Sequence, residues 1–554
     1  MTNTDALPLD SPMLPPLVLR PPLGPGIVRA LLLALAAIFH VLTAGWSPIQ
    51  NGPEGELAGA ARALLQNGLW DPLSSGVDWS GAPLALWLTK ASMAVFGINE
   101  FAARLPTALG VVAAVWFTFR LGERFGGIWR GFAAGTILLC SPGMFTVART
   151  LTPAPLATAF LVSCFYCLVR GFEHRPVRRP WFFLAWGAWA LSYFSGGWQT
   201  AAIPLVTALL LSLCVREARM RFPALLSWEG MLIIALTVAG ATAMHVRTSW
   251  GAMPTGICPA VSASRMIGWQ IGFLFPWSLL LVPAAFAACA RLAKMRPLEW
   301  PAVFPLAWAF VALAAALGNP ARSFPDTLNV WPAVALWGAL CFETMPRKHF
   351  LRWTAAVVFM AFLGLILTHR LALVLGKLCP FKAELIRGIP AFFWPSITSV
   401  AFIAVLAFAL FGATAFWLEW HHRRRFALMA LFGAMIPAGY AFADASAKIA
   451  PYFSFADFAH CIRGTAENAP RVFVDASPSG ASSLRFYLEQ PFTVTTEPDM
   501  IKPLWVADTG RAYLVTRQSR VANWKDALDG RFRVACEAGA NVLLTNAVES
   551  GQGF

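Results

Sequence analysis

Apolar runs close to twenty residues long recur along the chain, and they limit its fold more than any other feature. Each is long enough to cross about 30 Å of hydrocarbon as an α-helix. In lipid the backbone N–H and C=O groups must be satisfied within the segment, so a helix is the spanning structure such runs imply. The runs are continuous rather than alternating, which argues against a transmembrane β-barrel. Composition agrees: 58% of the residues are hydrophobic and 13% charged, where soluble domains carry about 25% charged residues. A soluble protein this apolar would expose sticky surface.

Thirteen spans are expected, at 27–46, 101–121, 128–145, 153–170, 181–194, 197–214, 229–246, 268–290, 300–318, 327–343, 352–368, 392–417 and 427–445. The fifth and sixth are short and lie close together. Residues 1–26 are Pro-rich and lack an early apolar core, so they read as a short cytoplasmic tail and not a cleaved signal peptide. The expected organisation is this tail, an all-α polytopic membrane domain over 27–446, and a soluble domain over 447–554.

The formal net charge is +15. Nucleic-acid binding is not the reading, because the cations sit in short clusters between apolar runs, where the positive-inside rule places them. The clusters are Arg120, Arg124 and Arg130; Arg170, Arg175, Arg178 and Arg179; Arg216, Arg219 and Arg221; Arg291, Lys294 and Arg296; Arg347, Lys348 and Arg352; and Arg423, Arg424 and Arg425. With thirteen spans, all of them fall on one side, expected to be cytoplasmic together with the N-terminus. The C-terminus is then external.

Two external segments are long. Residues 47–100 contain candidate helices at 55–66 and 84–96, whose apolar faces suit the membrane surface. The tail after Pro451 holds candidate strands at 471–475, 492–496, 512–516 and 541–545, with helical stretches at 483–488 and 524–528, so a small α/β domain is expected. Of the 10 Cys, the Cys164–Cys167 pair lies in an apolar helix and reads as packing. Cys258, Cys379, Cys461 and Cys536 are expected outside, where oxidation is open to them. Cys461 with Cys536 is the favoured disulfide, since both belong to the tail. The His residues show no metal-ligand spacing, and His421-His422 reads as part of its Arg cluster.

The external segment carries an ordered set of features: Pro53-Glu54-Gly55-Glu56, Ala61-Arg62-Ala63-Leu64, Asn67-Gly68-Leu69-Trp70, Ala82-Pro83-Leu84, Trp87-Leu88-Thr89, Phe96-Gly97-Ile98-Asn99-Glu100 and Arg104-Leu105-Pro106. This order resembles the first external loop of membrane glycosyltransferases of the protein-mannosyltransferase and lipid A aminoarabinose-transferase type, which have the GT-C fold. Ser141-Pro142 with Ala148-Arg149 and Pro155-Leu156, then Trp331-Pro332-Ala333, then Ser482-Ser483-Leu484-Arg485-Phe486-Tyr487-Leu488, resemble later motifs of that family. The resemblance implies about thirteen membrane helices and a periplasmic α/β domain in a bacterial inner membrane. It implies sugar transfer from a polyprenyl phosphate to a lipid (lipid A-like), glycan or protein acceptor, with no nucleotide or other cofactor at the site. Such chemistry needs a carboxylate to take the acceptor's proton and cations to hold the departing phosphate.

Four charged positions of that family are replaced. Its loop begins Asp-Glu, and Pro53 stands at the Asp, leaving Glu54. Gly81 stands where a Lys precedes Pro-Pro-Leu, the stretch 150–155 lacks the Asp before the fourth span, and Ser195-Gly196-Gly197 replaces a Lys-Gly pair. Glu54 is the expected base, Glu56 a second candidate and Asp78 an outside one. The plain alternative for Glu54 and Glu56 is favourable charge at a helix N-terminus. Arg149, Arg247, Arg265, Arg322 and Lys382 fall in expected external loops and are the candidate phosphate ligands, Arg149 and Arg322 foremost. Solvated or headgroup-facing charge is the plain alternative for each. A non-catalytic relative that binds a polyprenyl lipid, or partners an active transferase as a subunit, is the second reading. A transporter is the third, but intramembrane charges and repeat symmetry between halves are not found.

Overall fold

The structure, a computed structural model, describes residues 24–68, 83–173, 179–221, 228–247, 262–275, 277–278, 300–319, 324–368, 394–465, 470–477, 479–506, 511–528, 530–539 and 541–546. In chain order the helices of the first half are α1 (Pro25–Ala36), α2 (Pro53–Gln66), α3 (Pro83–Phe96), α4 (Glu100–Gly126), α5 (Ile128–Leu139), α6 (Pro142–Ala148), α7 (Ala154–Glu173), α8 (Arg179–Cys214), α9 (Arg216–Arg221) and α10 (Trp228–Arg247). Then come α11 (Ala263–Phe273), α12 (Trp300–Gly318), α13 (Trp331–Thr344), α14 (Arg347–Leu367), α15 (Trp394–Trp420) and α16 (Arg424–Ile449). Seven of the described helices are long and apolar enough to cross a membrane, or eight if the bent pair α5–α6 is one span. The protein is therefore a multi-pass membrane protein. Most of the expected span at 268–290 lies outside the described residues.

Local chemistry sets the boundaries that matter for the site. Asn99 caps α4 by accepting from the Ala102 N–H at 2.8 Å, the usual role of a short polar side chain there. Pro142 cannot continue α5 because it lacks an N–H, and α6 leaves at 62° to it. α8 contains the two short expected spans, and Gly197, at φ +70°, breaks it between them. Trp189 Nε1 donates to the Ala201 carbonyl at 2.8 Å. Twelve residues of straight helix would hold these groups about 18 Å apart, so the chain doubles back at the glycine.

Ion pairs join described residues of the basic clusters at one end of the bundle. Arg29 pairs with Glu123, Arg124 with Glu173 at 3.6 Å, Arg130 with Glu343 at 2.6 Å, and Arg424 with Glu419 at 2.7 Å. The opposite end carries α2, α3 and the tail domain.

The tail domain comprises α17 (Ala456–Thr465), β1 (Arg471–Val474), α18 (Ser482–Tyr487), β2 (Phe492–Val494), α19 (Pro498–Val506), β3 (Ala512–Arg517), α20 (Val521–Ala527), β4 (Arg533–Ala538) and β5 (Asn541–Thr545). The sheet order is β2-β1-β3-β5-β4. β1 is parallel to β2 and β3, whereas β5 is antiparallel to β3 and β4. Side chains alternate between faces with the strand period of two. Phe473, Leu514 and Leu544 pack on Ile501, Trp505 and Trp524. Val472, Val474, Tyr513 and Val515 face the other way, into a core shared with Leu57, Ala61 and Leu86 of the loop helices and Ala102 of α4. The tail domain is thus fused to the loop through common apolar burial. Cys461 and Cys536 form a disulfide, as expected, tying α17 to β4. α17, α19 and β4 were not anticipated from the sequence.

Candidate functional site

The loop and the tail domain are joined by polar contacts as well as by core. Ser482 Oγ accepts from the Gly52 N–H at 2.7 Å, and Ser483 Oγ donates to Asn51 Oδ1 at 2.7 Å. Tyr487 donates its hydroxyl to Glu100 at 2.9 Å and accepts from the Ile49 N–H at 2.7 Å. Burial, with the neighbouring Glu100 charge, pushes the Tyr487 phenol well above its ordinary range. Gly55 and Gly59 let α18 approach. A Cβ on Gly55 would sit 2.6 Å from Ser482 Oγ, and one on Gly59 would sit 2.8 Å from Arg485 Cβ. Arg62, the next residue on this face, donates to Glu489 at 3.0 Å and to the Phe486 carbonyl. Its guanidinium is held below the ordinary arginine range by burial.

Glu54 sits at the centre of this junction, 2% exposed. Its Oε1 accepts from Arg104 Nε at 2.7 Å and from the Leu151 N–H at 3.0 Å. Its Oε2 accepts from the Gln50 N–H at 3.1 Å. Arg104 is itself fully buried and donates to the carbonyls of Ala44, Ser47 and Pro48. Both oxygens of Glu54 are therefore engaged, and the carboxylate fastens α2 to α4 and to the strap after α6.

Glu56 differs. It is half-buried on another face of α2, and burial raises its pKa above the ordinary carboxylate value, opposed by the Arg485 charge. It makes no hydrogen bond or ion pair among the described residues. The two carboxylates thus divide as the helical spacing requires, about 200° apart.

Arg149 follows α6 and is 5% exposed. It donates to the carbonyls of Phe145 at 3.0 Å and Phe39 at 3.2 Å, and to Thr43 Oγ1 at 2.7 Å. Phe39 lies in a π-helical turn, Ala37–Val41, that continues α1. Widening the turn frees a carbonyl for the buried cation, a common use of such turns at functional positions. Arg149 Nε has no hydrogen-bond partner among the described residues, and the fully buried His40 ring lies 5.3 Å from the Phe145 ring. No carboxylate pairs with Arg149 there. His40 was not a sequence candidate; a single His inside an apolar run gave no signal.

The remaining candidates divide between described and undescribed residues. Arg265 lies in α11 and is exposed. Arg322, Lys382, Asp78 and Gly81, and the side chain of Arg247, lie outside the described residues. At the replaced positions the side chains are neutral: Pro53 starts α2, and Ser195 bonds back to the Leu191 carbonyl. Beside that break Asn329 bridges Thr158 at 2.8 Å and Thr200 at 3.3 Å.

Residues 80–243 match the family model described as dolichyl-phosphate-mannose-protein mannosyltransferase. No curated protein matches the chain by sequence. Among solved structures, ArnT from Cupriavidus metallidurans bound to undecaprenyl phosphate superposes with a TM-score of 0.77 at 18% identity, over 95% of this chain and 99% of that one. The same protein in the apo state gives a TM-score of 0.76 at 18% identity, over 94% and 97%. The apo oligosaccharyltransferase of Archaeoglobus fulgidus gives 0.50 at 11% identity, over 90% of this chain and 70% of that one. The chain therefore has the GT-C fold of ArnT along nearly its whole length.

Proposed function

We propose that the protein binds a sugar-carrying polyprenyl phosphate and transfers the sugar to a lipid (lipid A-like), glycan or protein acceptor, at the face that carries the tail domain. The observation that supports this most is the end-to-end match with ArnT, a protein solved with undecaprenyl phosphate bound. The match covers 95% of this chain. In the proposed step the acceptor oxygen bonds to the anomeric carbon as the sugar–phosphate C–O bond breaks. The lipid phosphate leaves with the electron pair, and a carboxylate takes the acceptor proton. Glu56 suits that role better than Glu54, since it makes no hydrogen bond or ion pair among the described residues whereas both oxygens of Glu54 are occupied. This reverses the order expected from the motif. Arg149, whose Nε has no hydrogen-bond partner among the described residues, is the described cation we assign to the phosphate, with Arg247, Arg265, Arg322 and Lys382 as further ligands.

A second reading, a lipid-binding relative without catalysis or the partner subunit of an active transferase, is favoured by the engagement of Glu54 and the neutral side chains at the replaced positions. In either case we place the protein in a bacterial inner membrane with the tail domain in the periplasm, a placement the Cys461–Cys536 disulfide supports.

The deciding experiment gives purified protein a polyprenyl-phosphate-linked sugar and follows binding and transfer separately. Wild type should do both. Glu56→Gln should bind normally and lose transfer by about 10²–10⁴-fold. Arg149→Ala should weaken lipid binding by about 1–3 kcal/mol, the range for a charge-assisted hydrogen bond. Binding without transfer by wild type selects the second reading, and no binding at all removes both.

A further inference from the structure

Two basic turns lock together at the end opposite the tail domain. One joins α13 to α14 and the other joins α15 to α16. Arg347 donates to the carbonyls of Glu419, at 3.3 Å, and of Trp420. Arg424 donates back to the Met345 carbonyl at 2.6 Å and to Glu419 Oε1 at 2.7 Å. Its guanidinium lies 5.1 Å from the Phe350 ring centre. These crossed contacts fix the two turns relative to each other.

The charge in them is not balanced. Glu343 and Glu419 are the only carboxylates over 343–352 and 417–426, and both are already paired, with Arg130 and Arg424. Lys348, Arg352 and Arg423 are exposed and make no ion pair among the described residues. Trp417 and Trp420 border them, 57% and 59% exposed. α14 and α15 continue from the turns with exposed Phe359, Phe362 and Leu410, so the patch meets lipid as well as water.

The positive-inside bias by itself yields separate, solvated cations. Here unpaired cations stand on turns that Arg347 and Arg424 clamp together, with exposed tryptophans beside them. We propose that this patch binds the headgroup of an anionic glycerophospholipid of the adjoining leaflet. Its phosphate would accept from Lys348, Arg352 and Arg423, and its acyl chains would lie along α14 and α15. An acidic protein would satisfy the charge but leave the aromatic border unexplained. The inference does not depend on sugar transfer.

The test uses the full chain in nanodiscs of phosphatidylcholine doped with phosphatidylglycerol, with retained lipid counted by native mass spectrometry after gentle release. Wild type should retain phosphatidylglycerol selectively. The variant Lys348→Gln/Arg352→Gln/Arg423→Gln should lose that selectivity by on the order of a hundredfold, each of the three cations near an anionic surface counting for about fivefold. A matched variant at Arg511, Arg517 and Arg533 of the tail domain should keep it. An unchanged melting temperature of the first variant, whose residues are exposed and unpaired, shows that the fold is intact. Retention equal to wild type in the patch variant overturns the proposal. So does displacement by inorganic phosphate at millimolar concentration, which would mark a site for free anions.

Discussion

Glu54 and Glu56 stand two residues apart, yet one is a fastener and the other a half-buried carboxylate whose ionisation burial disfavours. Removing one partner of a buried ion pair costs about 3–5 kcal/mol. Glu54→Gln should therefore lower the melting temperature, and Arg104→Met should lower it further because three carbonyls also lose their donor. Thermal melts in detergent check both, and a Glu54→Gln protein as stable as wild type would remove the fastening role. Glu56 should behave oppositely. Its folded pKa lies above the unfolded value, so ionisation opposes folding once pH rises through the folded pKa. Glu56→Gln should raise the melting temperature at neutral pH, and the gain should shrink as pH falls below the ordinary carboxylate range. Transfer that needs ionised Glu56 should fail on acidification through the raised pKa. The motif named Glu54 and Arg104 in the sequence but not their pairing, because fifty residues separate them. The bonding partners, not the residue type, distinguish a base from a fastener.

At the scale of elements, apolar periodicity made the long helices legible, along with the strands whose inward residues are Val, Leu, Phe or Tyr. β4 escaped because it is the edge of the sheet. Its residues Arg533 to Ala538 are mostly exposed, so no burial pressure wrote an alternating pattern, and a bulge shifts its register after Val534. α19 escaped because Pro503 interrupts it. The fusion of α2 to α18 was invisible for another reason. Gly55 and Gly59, four apart, read as weak helix formers, whereas the structure uses them for close approach. Gly59→Leu should push α18 off α2, because its side chain would enter the space held by Arg485. Limited proteolysis should then cleave the tail domain faster than in wild type. Equal resistance of the two proteins would show that the shared core holds the domain without this contact.

For the whole molecule, the clustering of basic turns at one end and of the tail domain at the other gives the chain a polarity. The sequence implied this through its alternating clusters, and the ion pairs between helix ends carry it into three dimensions. The proposed orientation, with the basic turns in the cytoplasm, rests on the positive-inside rule, and the cysteines offer a test that does not rely on charge. Cys214 is an exposed free thiol where α8 ends, beside the basic residues of α9. Cys461 and Cys536 are bonded to each other in the tail domain. In a variant with Cys258 and Cys379 replaced by Ser, a membrane-impermeant maleimide on intact spheroplasts should leave Cys214 unmodified. Prior treatment with an impermeant reductant should make Cys461 and Cys536 reactive, because a disulfide on the outer face is within its reach. Permeabilisation should then expose Cys214 to label. Labelling of Cys214 from outside, with the Cys461–Cys536 pair silent until the membrane is opened, would invert the topology and place the proposed transfer site on the cytoplasmic face, where a structural disulfide would not persist.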